Sequence, residues 1–174
     1  NYSVRVPDEI TVPVDYLSGD FPPAHGLEET GLEARFLDSR GITWDLMAWS
    51  FFWRGEGLLP MKPRAQLEQE TALVLMNGGN FFIYNNPKRN GHLVSWHQNL
   101  LGEVAQFARR RQSICQYTKS VPQVALLHSK SHYYSNNSPL FNLGQMIQPL
   151  EGALQALLEN HYHVDVLNEE TLMR

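Results

Sequence analysis

Apolar and polar residues alternate in residues 2–6 and 10–16, and this period of two predicts two short strands near the start of the chain. A Gly- and Pro-rich loop at 19–26 follows, and the apolar residues within 32–37 predict a further short strand. Residues 42–52 are rich in Trp, Phe and Met and predict a stronger strand. The first third of the chain is therefore predicted to consist of strands and loops.

Two helices are predicted on either side of a buried strand in the middle of the chain. Residues 62–76 give the clearest helix, because Pro63 suits a first turn and the glycine pair at 78–79 follows the last apolar position. Residues 80–84 are mostly apolar and precede an Asn-Asn-Pro break, which predicts a buried strand. An amphipathic pattern over residues 95–112 predicts the second helix.

The pattern changes character at residues 121–122, where Val-Pro precedes a new set of elements. A strand is predicted for 124–128, a polar loop for 129–142, a helix for 150–160 and a strand for 163–167. Strand, helix and strand at this spacing form a βαβ unit with parallel strands and a right-handed crossover. The whole chain is therefore predicted to be α/β, with a domain boundary at this point.

Composition and charge narrow the classes of function. Hydrophobic residues make up 43% of the 174 residues and charged residues 18%, enough for one good core or parts of two. The net charge of -4 gives no reason to expect nucleic acid or an acidic membrane surface as a partner. No apolar run reaches the roughly 18 residues typical of a membrane span. Periplasmic, extracellular and cytoplasmic locations all stay open.

No cofactor and no metal are expected from the motifs in the chain. His161 and His163 lie two residues apart, but the spacing places no third ligand beside them. Gly-x-Ser-x-Gly, Walker and Rossmann glycine patterns do not occur. The lone cysteine, Cys115, has no partner for an internal disulfide.

The most informative motif runs from Gly78 to Gly91. It contains Gly-Gly-Asn, a run of apolar and aromatic residues, and a Pro three residues before Asn-Gly. This pattern resembles the last barrel strand of the α-L-fucosidase family of glycoside hydrolases. Thr-Trp-Asp-Leu-Met at 43–47 resembles the preceding strand of that family, in which a Trp followed by an acidic residue is usual. The resemblance implies that residues 1–120 form the closing strands and helices of a (β/α)8 barrel.

A second resemblance covers residues 121–174. Val-Ala-Leu-Leu-His-Ser, Leu-Glu-Gly-Ala-Leu-Gln-Ala-Leu-Leu and Val-Asp-Val-Leu are similar to the start of the glutamine-amidotransferase-like domain that follows the barrel in many β-galactosidase-type enzymes. The similarity implies that these residues form the first βαβ unit of a flavodoxin-like parallel sheet. It also implies a role in subunit contacts, so a homo-oligomer formed through this domain is expected. The stretch does not supply the Cys nucleophile with its His that amidotransferase chemistry requires.

Acidic residues near predicted strand ends are the catalytic candidates. Retaining glycosidases use two carboxyl groups about 5 Å apart, and in the fucosidase family the nucleophilic Asp lies on an earlier strand, outside this segment. Gly-Asp-Phe at 19–21 resembles a triplet that the family often follows with Thr-Pro-Glu, whereas Pro-Ala-His stands at 23–25 here. This departure leaves open a degenerate, non-hydrolytic relative. The candidates for an acid/base role are Asp20, Glu28 and Glu29.

Aromatic and polar residues near the same strand ends are the substrate-binding candidates, because aromatic faces stack on sugar rings and polar groups bind sugar hydroxyls. For Trp44 a place in the core is the favoured interpretation, whereas for Trp49 and Trp53 the core and a ligand platform are equally expected. Barrel active sites form at the C-terminal ends of strands, which disfavours Asp45 because it lies early in its strand. The candidates are His25, Trp44, Asp45, Trp49, Trp53, Arg54 and Asn85.

Two functions of different class follow. In the first, the chain is a segment of a carbohydrate-active hydrolase resembling α-L-fucosidases, which removes a terminal sugar from a glycan or fucoside-like substrate by two-carboxylate catalysis. A complete barrel needs about 250 residues, so the segment alone is expected to be inactive. In the second, the chain is a non-catalytic α/β module that binds a sugar or a partner subunit through its aromatic residues, which the length of one domain allows.

Overall fold

The computed structural model describes residues 2–21, 26–53, 59–138 and 147–173. Within these ranges, no helix is both long enough and apolar enough to cross a membrane. The elements in chain order are β1 (Leu17–Asp20), α1 (Gly26–Asp38), β2 (Trp44–Trp49), α2 (Arg64–Met76), β3 (Asn80–Tyr84), α3 (Ser95–Arg109), α4 (Gln112–Cys115), β4 (Val124–Leu127), α5 (Lys130–Asn136), α6 (Gln148–Glu159), β5 (Val164–Leu167) and α7 (Glu169–Leu172).

The first three strands form one parallel sheet in the order β1-β2-β3. Asp45 of β2 is in register with Ser18 of β1 and with Asn80 of β3, and Trp49 is in register with Tyr84. The predicted bounds of β3 are confirmed, whereas β2 is shorter than the strand predicted for residues 42–52. All three strands run in the same direction, so their carboxyl ends lie along one edge of the sheet.

The two faces of this sheet have different surroundings. Leu17, Trp44, Leu46 and Ala48 are buried on one face, where they share a core with side chains of α1 and α2. The other face carries every second residue, among them Phe82 and Tyr84, which are 42% and 40% exposed. Parallel sheets normally bury both faces. Among the described elements, helices therefore cover one face of the sheet and leave aromatic side chains accessible on the other.

The start of β3 passes close to the ring of Trp44. A Cβ atom on Gly79 would lie 2.2 Å from Trp44 Cη2, so only glycine fits at this position. Trp44 is itself buried, and its indole Nε1 lies 3.5 Å from Asp38 Oδ1. The glycine before the strand is therefore required by the packing of a core tryptophan.

Substituting Gly79 by alanine is expected to destabilise the protein by about 1–3 kcal/mol, because the added methyl group would overlap the Trp44 ring. Chemical unfolding in urea measures this loss. Gly102→Ala is the matched control, since within the described part of the chain no atom outside the neighbouring residues and the helix's own backbone lies within 4 Å of a Cβ at that position. The control substitution is expected to stabilise the protein by about 0.5–1 kcal/mol, because alanine has a higher helix propensity than glycine. Equal effects of the two substitutions would contradict the close packing at Gly79.

The second sheet contains β4 and β5, which pair in parallel with Val124 opposite Val164 and Leu127 opposite Leu167. Helix α6 lies between them in the chain, so the predicted βαβ unit is present. Residues 130–136, predicted as loop, instead form α5. Ser129 precedes this helix, and its side chain accepts a hydrogen bond from the backbone N–H of His132. This N-terminal cap explains why a polar, serine-rich stretch is helical.

Helix α1 lies between the two sheets and replaces the strand predicted for residues 32–37. Its Leu32 and Phe36 belong to the core of the second sheet, and its Ala34 and Leu37 belong to the core of the first. A helix that is buried on two sides has no polar face to reveal its period. The predicted strand was therefore wrong because this segment is buried on more than one side, so its apolar residues do not form a single helical stripe.

The strands predicted for residues 2–6 and 10–16 are also wrong, since both stretches have irregular backbone. Val4 is fully buried in the core of the second sheet. Its backbone N–H donates to Glu33 Oε2 at 3.0 Å, and its carbonyl oxygen lies 2.7 Å from His128 Nε2. Side chains therefore satisfy the backbone groups that a neighbouring strand would otherwise pair with.

Candidate functional site

The carboxyl edge of the first sheet brings together the last residues of its strands. Asp20 ends β1 and Trp49 ends β2. The Trp49 indole Nε1–H donates to Asp20 Oδ1 at 3.0 Å. The hydrogen bond fixes the direction of the indole ring. Two residues that the sequence singled out are thus in direct contact.

Burial raises the pKa of the Asp20 carboxyl group above its usual range. The Trp49 hydrogen bond, a backbone N–H of Phe21 and the charge of Arg5 oppose this shift by stabilising the carboxylate. The pKa rises because the loss of hydration outweighs these contacts. A carboxyl group that keeps its proton to higher pH is suited to donate a proton to a leaving group.

The Trp49 ring, which donates this hydrogen bond, belongs to an aromatic cluster defined by Trp49, Phe51, Trp53 and Tyr84. The Trp49 ring centroid lies 5.4 Å from that of Phe51, 6.2 Å from that of Trp53 and 5.3 Å from that of Tyr84. Within the cluster, Phe51 is buried, whereas Trp53 is 61% exposed. The cluster therefore presents an anchored aromatic surface beside a carboxyl group, the combination that stacks on the apolar face of a sugar and binds its hydroxyls.

Asn85 follows β3 and has a fixed amide orientation. Its Oδ1 accepts from Ser50 Oγ at 3.2 Å and from the backbone N–H of Asn86 at 2.9 Å. Its Nδ2 is buried and has no hydrogen-bond partner within the described residues. Because Oδ1 is already engaged, the amide group offers a donor, the N–H₂, to any ligand oxygen that reaches it.

Asp45 and Trp44 lie at the opposite end of β2 from this edge. Asp45 is four residues before Trp49, which is about 13 Å along a parallel strand, and its buried Oδ1 has no hydrogen-bond partner in the described part of the chain. Trp44 is buried and packs in the core against Gly79, which are the surroundings of a structural residue, and its role in substrate binding stays a prediction. His25 and Arg54 lie outside the described residues.

Glu28 and Glu29 lie in the first turn of α1. Glu28 is exposed. Glu29 is fully buried and forms an ion pair with Arg5. A substrate cannot reach a fully buried carboxylate, so the acid/base role considered for Glu29 does not fit its position. Of the three predicted acids, Asp20 is the one in contact with the aromatic cluster.

Several residues of the edge were not predicted from the sequence, and the signals that they carry there differ. Tyr84 and Phe51 could have been found, because each is an aromatic residue at or next to the last residue of a predicted strand. Ser50 gave no signal, since its role depends on the position of Asn85 on another strand. Within the described residues, no group of three His, Cys, Asp or Glu side chains is placed to hold a metal ion.

Comparison with known proteins supports the fold. No family model and no curated protein matches the chain. Among solved structures, α-L-fucosidase isoenzyme 2 from Paenibacillus thiaminolyticus is similar, with a TM-score of 0.68 and 22% identity over 88% of this chain. The match covers 23% of the length of that enzyme. At this identity the likeness shows a shared fold alone.

The match must extend beyond residue 120, because residues 1–120 are fewer than 88% of the 174 residues. The chain therefore has an α/β fold like that of part of an α-L-fucosidase. The fucosidase resemblance inferred from residues 43–47 and 78–91 is confirmed at this level.

Proposed function

We propose that this chain is a section of a carbohydrate-active hydrolase related to α-L-fucosidases, which removes a terminal sugar from a glycan. The observation that carries the proposal is the hydrogen bond from Trp49 to Asp20 inside an aromatic cluster at the carboxyl edge of a parallel sheet. This edge is where barrel enzymes have their active sites. The fucosidase named above supplies the class of sugar.

The accessible face of the first sheet supports a place in a (β/α)8 barrel. In such a barrel, helices cover the outside of each strand and the inward side chains of all eight strands fill the interior. Here α1 and α2 cover one face, and Asp20, Met47, Trp49, Phe82 and Tyr84 alternate along the other. We assign residues 1–120 to the closing part of the barrel, with the remaining strands packing on this second face.

In the proposed reaction Asp20 serves as the acid/base residue, because its raised pKa suits proton donation to the leaving oxygen. A retaining mechanism also needs a nucleophilic carboxylate about 5 Å from the acid/base group. We assign the nucleophile to a barrel strand outside residues 1–174, as the family resemblance implies. The 174-residue chain is then expected to bind sugar without cleaving it.

We assign residues 121–174 to the start of a glutamine-amidotransferase-like domain that makes subunit contacts. The parallel pairing of β4 with β5 around α6 is the feature that supports this assignment. Analytical ultracentrifugation of the full-length natural protein tests it. A monomer at all concentrations would contradict the proposed role in subunit contacts.

Replacing Trp53 with alanine is expected to weaken binding of L-fucose by about tenfold, the factor that corresponds to about 1.4 kcal/mol. The physical reason is the loss of the most exposed ring of the aromatic cluster. Titration followed by tryptophan fluorescence measures the affinity. Trp96→Ala is the matched control, because Trp96 is 57% exposed but lies on α3 and contacts His97 rather than the cluster. Unchanged affinity in Trp53→Ala would remove that residue from the site.

Hydrolysis of an aryl α-L-fucoside by the full-length natural protein separates the two classes of function. An active enzyme whose Asp20→Asn variant binds sugar but turns over slowly would support the hydrolase. Sugar binding without any turnover would support the non-catalytic binding module instead.

A further inference from the structure

Lys62 is fully buried immediately before α2, a rare position for a lysine. Its Nζ donates to Glu70 Oε1 on α2 at 2.8 Å, and Glu70 is fully buried as well. Gln66 Nε2 donates to the same carboxylate oxygen at 3.0 Å. Burying both charges costs desolvation energy that their attraction often fails to repay. The pair is therefore poorly explained by stability alone.

The Lys62 ammonium group also faces two aromatic rings at the carboxyl edge of the sheet. Its Nζ lies 5.5 Å from the ring centroid of Phe21 and 5.9 Å from that of Phe52. Both distances are within the roughly 6 Å range of cation–π attraction, which is strongest for desolvated cations. Phe21 follows Asp20 in the chain, and Phe52 precedes Trp53. One buried charge thus contacts the direct neighbours of the proposed acid and of the outermost aromatic residue.

The backbone around Lys62 strengthens this connection. Residues 50–52 and 60–62 pair antiparallel through an isolated bridge between Phe51 and Met61. Two backbone hydrogen bonds of 2.8 Å join the segments, from Lys62 N to the Ser50 carbonyl and from Phe52 N to the Pro60 carbonyl. The Lys62 side chain then ties one end of this ladder to α2. The backbone leading into Trp53 is therefore held at a buried ionic anchor.

We propose that the Lys62–Glu70 ion pair is a positioning device for the sugar site, an inference that rests on the proposed function. The pair holds Phe21 and Phe52 against one cation, and so sets Asp20 and Trp53 at the distance that lets both meet one sugar. Lys62 has no contact with the ligand and acts through these two rings. An apolar residue would fill the same volume without attracting either ring face.

The experiment separates positioning from simple stabilisation. Lys62→Met removes the cation but leaves Glu70 buried, so the double variant Lys62→Met/Glu70→Leu removes both charges. Phe52→Leu leaves the ion pair in place and removes one ring. Arg64→Met is the control, because Arg64 is an exposed cation at the start of the same helix. The measurements are the thermal midpoint, L-fucose affinity, and hydrogen exchange of the Trp49 indole N–H in ¹⁵N-tryptophan-labelled protein.

Lys62→Met alone is expected to lower the thermal midpoint strongly, since it leaves a buried carboxylate without its cation. The double variant is expected to regain most of the decrease in thermal midpoint that Lys62→Met causes. The Trp49 indole N–H, which donates to Asp20, is nevertheless expected to exchange faster in the double variant and in Phe52→Leu. The expected increase is about tenfold, because each variant loses a desolvated cation–π contact. Affinity for L-fucose is expected to fall in both variants, and Arg64→Met is expected to behave like the parent.

Unchanged Trp49 indole exchange in either folded variant would overturn the positioning role and leave Lys62 as a purely structural residue. The proposed function fails on a different observation, namely a parent protein that binds no L-fucose. In that case the indole exchange, which needs no sugar, still decides whether Lys62 positions the edge residues.

Discussion

Replacing Arg5 with methionine is expected to lower the free energy of unfolding by about 3–5 kcal/mol, the cost of removing one partner from a buried ion pair. Glu29 and Glu33 lie one turn apart on α1, and both are fully buried. Arg5 forms an ion pair with Glu29, and its Nη1 lies 3.5 Å from Glu33 Oε1. Methionine keeps the apolar part of the side chain but leaves the Glu29 charge in a medium of low dielectric constant.

Urea unfolding of Arg5→Met measures this loss. Lys130→Met is the matched control, because Lys130 pairs with Asp8 at 2.6 Å where both side chains are 44% exposed. Exposed pairs contribute little, so the control is expected to unfold close to the parent. Adding Glu29→Gln to Arg5→Met is expected to recover part of the stability. A loss below about 1 kcal/mol in Arg5→Met would show that the carboxylates do not depend on the guanidinium.

The same buried charges explain why α1 could not be predicted from sequence. Its buried positions include Glu29, Gly31 and Glu33, which local patterns assign to surfaces and turns. The burial of the two glutamates depends on Arg5 and on the backbone of Val4, both more than twenty residues away in the chain. A helix whose partners come from such distant segments has no local signature.

The elements whose ends are marked by residues in the local sequence were predicted well. Helix α2 begins next to Pro63 and is followed by the glycines at 78–79, and β3 has the predicted bounds. Both elements are bounded by residues with strong local preferences, a proline before the helix and a glycine pair between the helix and the strand, so their ends can be located in the sequence. The βαβ unit of residues 124–167 is another such case, because its helix α6 has a single apolar stripe.

For the candidate site, the sequence selected residues but not how they meet. Asp20 was selected as an acidic residue after a predicted strand, in the Gly-Asp-Phe triplet at 19–21, and Trp49 as an aromatic residue towards the far end of the strand predicted for 42–52, whereas β1 itself was not predicted. Their hydrogen bond depends on the order and register of β1 and β2, which local sequence does not determine. Lys62 was assigned to the start of a helix, and nothing beside it in the sequence distinguishes it from a surface lysine. Buried polar contacts of this kind require the tertiary structure.

The stability of the protein is expected to decrease as pH rises from about 4.5 to about 8, because of Glu33. Burial raises the pKa of its carboxyl group to about 8, against the opposing hydrogen bond from Val4 N–H and the charge of Arg5. In the unfolded chain the same group titrates near 4.5. Between these values the folded protein holds a proton that the unfolded chain has released. Each unit of increasing pH therefore lowers the free energy of unfolding by up to about 1.4 kcal/mol.

Glu33→Gln is expected to remove this slope, since glutamine keeps the shape of the protonated acid and cannot ionise. The contribution of Glu33 to the free energy of unfolding is fully present below pH 4.5 and lost above pH 8. The stability of Glu33→Gln relative to the parent is therefore expected to increase as pH rises. Unfolding free energies measured from pH 4.5 to pH 8.5 test this. Glu28→Gln, at an exposed position of the same helix, is expected to keep the parent slope. Parallel curves for the parent and Glu33→Gln would mean that Glu33 is already ionised in the folded protein, where Arg5 would have to balance two buried carboxylates.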